Sequence, residues 1–418
     1  MRLAVVAALL GSSVAGIGSA QAAAGRPDLT YLLGRARFVV AGHVADVTPY
    51  DAARFTVARV TVGKVLSGKL DGGEVLVVER HDLPSSPQLL QAGQRAIAFL
   101  IPARRNSSLE KALPSATYYE VISPPTGVIA NSTVSSVDEA VGILERLIAI
   151  HRKPEKDATR RAASIRALIF DEIVAQHATM VADGARGLGR IDDLATTLTD
   201  DERTRLEVVL RRTDLPTWIR VALIEAVADR QLAALIPEIR NLKEPDAELQ
   251  RAAWNALQRL GAAPSIDDLQ PALTSSDPAT RAAAVNALVS AKGANARPQL
   301  EQLATKDADR DVRLAAIEAL GKTGPQALPT LERTFASSDW GERRMAGRSI
   351  ATVGGRPAQE TFARLAFEGP PDGQKLAVTL LFMTGISHDD PLVQRIGQKH
   401  PDESVRHVVE SGLDVHDH

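Results

Sequence analysis

The sequence contains no cysteine. That absence excludes disulfides, cysteine nucleophiles, cysteine-ligated zinc, iron–sulfur clusters and a lipid-modified N-terminal cysteine. Aromatic residues are scarce, at 4%. A core short of Phe, Tyr and Trp has to be built from Ala, Leu, Val and Ile, which suits thin, closely stacked helices better than one large globular core. There is no charge excess of either sign: 49 basic residues face 51 acidic ones, for a net charge of −2. The chain therefore has no basic field for nucleic acid and no acidic tail for cations. No apolar run reaches the length that crosses a bilayer. What is present is globular in kind, with 44% hydrophobic and 24% charged residues. At 418 residues the prior is two or three folding units.

Residues 1–22 read as an address. Met1-Arg2 supplies one positive charge and Leu3 to Leu10 a short apolar run. Gly11, Gly16 and Gly18 interrupt its extension, and Ala20-Gln21-Ala22 fits a small-x-small cleavage site, with Ala22-Ala23-Ala24 fitting one step later. This is the pattern of a secretory signal peptide, and no stop-transfer segment follows. The expected product is a secreted or periplasmic chain that neither spans a membrane nor carries a lipid anchor. Export without cysteine suits a bacterial periplasm. In that setting the acceptor patterns Asn106-Ser-Ser108 and Asn131-Ser-Thr133 read as chance.

Residues 26–133 read as strands. Phe38 to Val47 is rich in β-branched residues and stops at Thr48-Pro49. In Arg54 to Val62 the alternation changes phase near Ala58, which predicts a bulge or a strong bend. Asp71-Gly72-Gly73 is a turn before Glu74 to Glu79; Gln94 to Ile101 enters through Gly93; Tyr118 to Ile122 and Gly127 to Ala130 complete the set. Short strands with turn signals between them predict a small antiparallel β-barrel or sandwich. Phe38-Val-Val-Ala-Gly-His-Val44, Val60 to Gly68, Ala92 to Leu100 and Tyr118-Tyr-Glu-Val121 together resemble the netrin/metalloprotease-inhibitor-like OB barrel of secreted proteins. Inhibitory members of that family chelate a protease zinc through an N-terminal cysteine, so that mechanism does not transfer to this chain. OB barrels also bind oligomers on aromatic platforms. Tyr118, Tyr119 and Phe99 are the available aromatics, and core packing is the expected role for them.

Residues 136–152 predict a connecting helix with the apolar face Val137, Val141, Leu144 and Ile148, opened by a Ser136/Glu139 capping box. His151 to Lys156, with Pro154, reads as a linker. Residues 155–418 repeat. Asp277, Asp309 and Asp339 are each followed four residues on by Arg281, Arg313 and Arg343, and seven on by Ala284, Ala316 and Ala346. Asp246 fits with Gln250 in the arginine position; Asp157 fits with Arg161, and Asp402 with Arg406. First helices end on Gly261, Gly293, Gly321 or Gly324, Gly354 and Gly385. Second helices carry Pro237-x-Ile239, Pro271-x-Leu273, Pro298-x-Leu300 and Pro329-x-Leu331. The aspartate is placed to cap each first helix, and the arginine to bond that carboxylate or the neighbouring repeat's carbonyls. The small alanine lets helices approach, and one pair cannot bury its stripe alone.

This pattern resembles HEAT repeats, in particular the short phycocyanobilin-lyase-type HEAT-like variety; Asp309 to Gly324 carries it best, and the resemblance runs from about 214 to 385. It implies an all-α solenoid behind the β-domain. Asp183 to Gly189 breaks the period.

Several motifs approach a chemical signature without completing it. Asp307, Asp309, Asp311 and Glu318 match acids of a calcium loop, but Val312 replaces its glycine and the repeat makes the segment helical. Gly321-Lys-Thr323 imitates the end of a phosphate loop, Gly187-Leu-Gly189 lacks the strand before it, and Ser108-x-x-Lys111 lacks its partner motifs. The histidines form no metal-binding or catalytic pattern; His416 and His418 read as a solvated tail, with loose metal binding the alternative. No catalytic, cofactor or metal site is expected. The expectation is a non-catalytic exported scaffold that binds a protein partner through its repeats. The alternatives are an inhibitor-like or ligand-binding role for the barrel, and a lyase-type enzyme through the repeat resemblance.

Overall fold

The computed structural model describes residues 27–50, 54–70, 72–80, 88–103, 110–111, 116–125, 127–131, 134–153, 155–242 and 246–411. The expected signal peptide, Ser108, Pro154, His416 and His418 lie outside them. A strand-rich N-terminal region is followed by a helical region. The chain divides into two compact units, one ending at Ile239 and the other beginning at Arg240.

In the first unit, helix α1 (Leu29–Arg35) precedes strands β1 (Phe38–Tyr50), β2 (Phe55–Ser67), β3 (Glu74–Arg80), β4 (Arg95–Pro102), β5 (Tyr118–Val121) and β6 (Val128–Asn131). β1 pairs with β2 and with β4, β2 with β3, β5 with both β3 and β4, and β6 with β4. The pairings are antiparallel with one exception: β3 and β5 run parallel, so the expected all-antiparallel set needs correcting. The bulge expected in β2 near Ala58 does not form: Phe55 to Thr61 pair with β3 in unbroken register, and the nearby shift between Val44 and Asp46 leaves Ala45 of β1 as the extra residue. The pattern that suggested it arises because β2 serves two cores. Phe55 and Val57 pack with Val78, whereas Ala58 and Val60 pack with Phe38, Val40, Val77 and Leu100. β1 is buried on both faces: Phe38 and Val40 face that second cluster, while Val39 and Ala41 join Phe99, Ile129 and the helices. Glu79 is buried at the end of β3 and accepts the Leu89 and Leu90 N–H groups at 2.9 and 2.8 Å.

Helix α2 (Val134–Arg152) lies against β2, β4 and β6. It begins before Ser136, which is buried inside it, so the expected capping box does not form. Glu139 instead accepts the Gln176 N–H at 2.8 Å. Helices α3 (Ala158–Val174) and α4 (Ala178–Leu188) follow and pack on each other. The segment that interrupts the sequence period is the second of these. A Cβ at Gly184 would stand 2.7 Å from the Ile173 nitrogen, and one at Gly187 the same distance from Ile169 Cγ1. Helices α5 (Asp200–Leu210) and α6 (Thr217–Asp229) follow, with a short helix at Leu194–Thr197 before them and another at Ile236–Arg240 after, where Pro237 and Ile239 stand.

The second unit stacks helix pairs: α7 (Ala247–Arg259) with α8 (Ile266–Leu273), α9 (Pro278–Lys292) with α10 (Arg297–Lys306), α11 (Arg310–Leu320) with α12 (Leu328–Phe335), α13 (Trp340–Val353) with α14 (Gly355–Glu368), then α15 (Pro371–Met383), α16 (Pro391–Lys399) and α17 (Glu403–Ser411). First helices pack on first helices in the order α7, α9, α11, α13, α15, α17. Ala284, Ala316 and Ala346 are fully buried at these contacts. Gly324 ends the α11 repeat at φ 94°, a left-handed conformation that an L side chain rarely adopts. Gly321 is there for space instead: a Cβ would meet Ser349 Cα at 2.9 Å.

Candidate functional site

The repeat aspartates are helix caps. Asp157 accepts the Arg160 N–H, Asp246 those of Glu248 and Leu249, Asp277 those of Ala279 and Thr280, Asp309 those of Asp311 and Val312, and Asp339 that of Glu342. Asp402 does the same with Ser404 at 2.8 Å. Each such bond satisfies an orphan donor of the first turn. α15 has no such aspartate; Pro370 precedes it and Pro371 fills its first position, which is why its repeat is hidden in the aspartate spacing.

The arginines one turn into the helices do not hold their own capping aspartate. They reach back to carbonyls just before it and forward to the next repeat's acid. Arg281 donates to Ser275 O at 2.8 Å and to Asp307 at 2.8 and 2.9 Å. Arg313 donates to Asp307 O at 3.0 Å and Glu342 at 2.8 Å. Arg343, almost wholly buried, donates to Ser337 O at 2.7 Å and also to Asp372. Arg406 donates to His400 O at 2.6 Å. Gln250, standing where the arginine is missing, keeps the backward bond, to Leu242 O at 2.7 Å. The Arg281 guanidinium holds the Asp307 carboxyl below the usual carboxylate range, and Arg310, 2.6 Å away, does the same for Asp339.

Residues of the near-motifs take part in the same local bonding. Asp307 and Asp309 are engaged as ion pair and cap, and Glu318 lies in α11, so these acids do not close a calcium loop. Among the described residues no cluster of three His, Asp or Glu side chains is arranged to hold a metal. Thr323 is buried and donates to Leu320 O at 2.8 Å. His400 is buried; its Nε2 donates to Ala366 O at 2.8 Å and its Nδ1 accepts the Asp402 N–H at 3.1 Å. His177 caps α4, its Nδ1 accepting the Thr179 N–H at 3.2 Å, with Nε2 3.4 Å from Ala130 O. Burial pushes the His177 imidazole below its ordinary pKa. Phe99 lies in the core, Tyr119 packs edge-on against Phe38 with ring centroids 4.5 Å apart, and Tyr118 lies against the Phe55 cluster.

Sequence reasoning missed a cavity of about 710 Å³ in the first unit, walled by α2, α3, α4 and the start of α1. Leu147, Ile150, Ile165, Leu168, Ile169 and Ile191 make its apolar wall. Glu172 opens onto it, 3% exposed. Burial pushes its carboxyl up to about 9, and the neighbouring Asp183 adds to the rise. The sequence held one signal: Glu172 stands four residues after Leu168, on the same helix stripe as Ile169 and Ile173.

The HEAT-repeat family model matches residues 232–321 and 266–351. The chain therefore carries HEAT repeats in this stretch. No curated protein matches the chain. Among solved structures it is similar to a chain of the CpcE–CpcF complex of phycocyanin lyase from Nostoc sp. PCC7120, with 17% identity over 59% of this chain and 94% of that one, at a TM-score of 0.31. No helix among the described residues is long and apolar enough to cross a membrane.

Proposed function

We propose that this is an exported, non-catalytic binding protein whose HEAT repeats present a surface to a protein partner. One observation carries the reading: the second unit is a stack of helix pairs whose capping aspartates and ladder arginines are spent on holding repeats together. Such arrays cannot bury a core one repeat at a time, and their use is the extended surface that stacking creates. The export half rests on the Met1-Arg2 and Leu3–Leu10 leader pattern with Ala20-Gln21-Ala22. In the first unit, the order β1–β2–β3–β5–β4 with the further β1–β4 pairing favours reading the strands as a small OB-like barrel with β6 added at its side. Two measurements test the proposal. The intact mass of the protein recovered from the periplasm should begin at Ala23 or Gly25; a product that keeps Met1 in the cytosol refutes export. Cross-linking in the periplasm from positions placed along the exposed faces of α7 to α17, and from a matching set on the first unit, should yield one reproducible protein adduct from the α7–α17 positions. Adducts that arise only from the first unit would move the binding function there.

A further inference from the structure

The cavity beside Glu172 lies within the first unit. Its volume is that of a small-molecule pocket, and its wall is largely aliphatic. The ionic side chains around it are already matched. Asp28 pairs with Arg190 at 3.3 Å and Asp183 with Arg186 at 3.0 Å. Arg166 pairs with Glu202 at 2.6 Å, and Asp192 with Arg230 at 3.6 Å. Asp28 and Asp183 also hold the Tyr31 and Leu29 N–H groups, so they are fixed by the fold.

Glu172 is different. It lines the cavity at 3% exposure, and none of the described residues hydrogen-bonds its carboxyl. The charged groups that act on it are Asp183 and Arg186 on α4, Asp171 on its own helix and Arg146 on α2. Arg146 and Arg205 are taken up by Asp171, at 2.5 and 2.8 Å. With its pKa at about 9, Glu172 is a neutral acid at pH 7, with one O–H to donate. Besides these groups, only the exposed Thr30 and His151 side chains are polar in the lining. A site whose charged pairs cancel and whose buried polar group is neutral gives a bare ion little counter-charge in exchange for its hydration shell. It suits an apolar molecule that brings a single hydrogen-bond acceptor.

We infer that the cavity between α2, α3 and α4 binds an uncharged, mainly apolar small molecule through a carbonyl oxygen that accepts from the Glu172 carboxyl.

The test uses the full chain and two dyes of similar ring system: Nile red, which is uncharged with one carbonyl, and Nile blue, which is cationic. Nile red should bind saturably at one site at pH 7 with a blue-shifted emission, and Nile blue at least tenfold more weakly. Glu172→Gln keeps a neutral donor, so its affinity should stay within about twofold of the parent; Glu172→Leu should lose fivefold or more. Above pH 9 the parent should lose affinity as the carboxyl ionises, while Glu172→Gln should not. Ala163 lines the cavity from an exposed position on α3, so Ala163→Phe should fold normally and block the dye. Nile red failing to bind, Nile blue binding as well as Nile red, Glu172→Leu matching the parent, or Ala163→Phe leaving binding intact would each overturn the inference.

Discussion

Replacing Glu172 with glutamine removes a large proton linkage that the fold imposes on a single carboxyl. In the folded chain the group titrates near 9, raised chiefly by burial and further by Asp183. In the unfolded chain it titrates near an ordinary glutamate value, about 4.3. Between those values the folded state holds a proton that the unfolded state has released. Stability must therefore fall as pH rises from the unfolded value and go on falling until the folded value is passed. The slope for one such group is about 1.4 kcal/mol per pH unit, so at pH 7 holding the proton costs about 4 kcal/mol. Glutamine has nearly the same shape and pays no such cost. Glu172→Gln should therefore match the parent near pH 4 and exceed it by about 4 kcal/mol at pH 7. Urea unfolding at several pH values, read as midpoint and slope, measures this directly. Parallel stability profiles for the two proteins would refute the reasoning, because they would mean that the carboxyl is ionised, and hydrated or paired, in the folded state.

Three further outcomes are expected. His177, whose pKa burial lowers, caps α4 only while Nδ1 is unprotonated; its contribution is complete above its ordinary value of about 6.5 and is lost as pH falls from there towards the lowered folded value. His177→Asn keeps a cap and should abolish that acid-side loss in a melting series. Asp309→Ala removes the α11 cap and should cost about 1 kcal/mol in chemical denaturation; no change would mean that solvent serves those N–H groups equally well. Ala316→Leu overfills a fully buried contact and should cost ~1–3 kcal/mol, with faster hydrogen exchange in α9, α11 and α13; unchanged protection there would refute the repeat phase.

The parts legible in the sequence are those set by contacts a few residues apart. A capping aspartate bonds the N–H two or three residues on, so Asp246, Asp277, Asp309 and Asp339 announce their helices. The seventh-position alanines follow from helix geometry and the need for close approach. Contacts between distant segments leave weaker marks. Ser136 and Glu139 have the spacing of a capping box, yet α2 starts earlier because its apolar face packs on the strands, and Glu139 is drawn to Gln176. The parallel β3–β5 pairing leaves no local signature at all. Asp171 and Glu172 look alike in sequence, and only packing decides between them. Asp171 meets Arg146 and Arg205, while Glu172 turns inward.

The arginine ladder gives the array a direction. The ladder links take their cation from one repeat and their anion from the repeat that follows: Arg281 with Asp307, Arg313 with Glu342, joined there by Arg310 with Asp339, and Arg343 with Asp372; one pair, Arg364 with Glu332, runs the other way. Cutting the stack at any of these joints leaves a surplus positive charge on the piece towards the N-terminus and a surplus negative charge on the other. The two broken faces are thus unlike in sign, and each is the counterpart of the other rather than of itself. Fragments would be drawn back together in register, while two copies of the same broken face would repel. A repeat excised whole, with its own acid and its own arginine, would leave the neighbours on either side still matched.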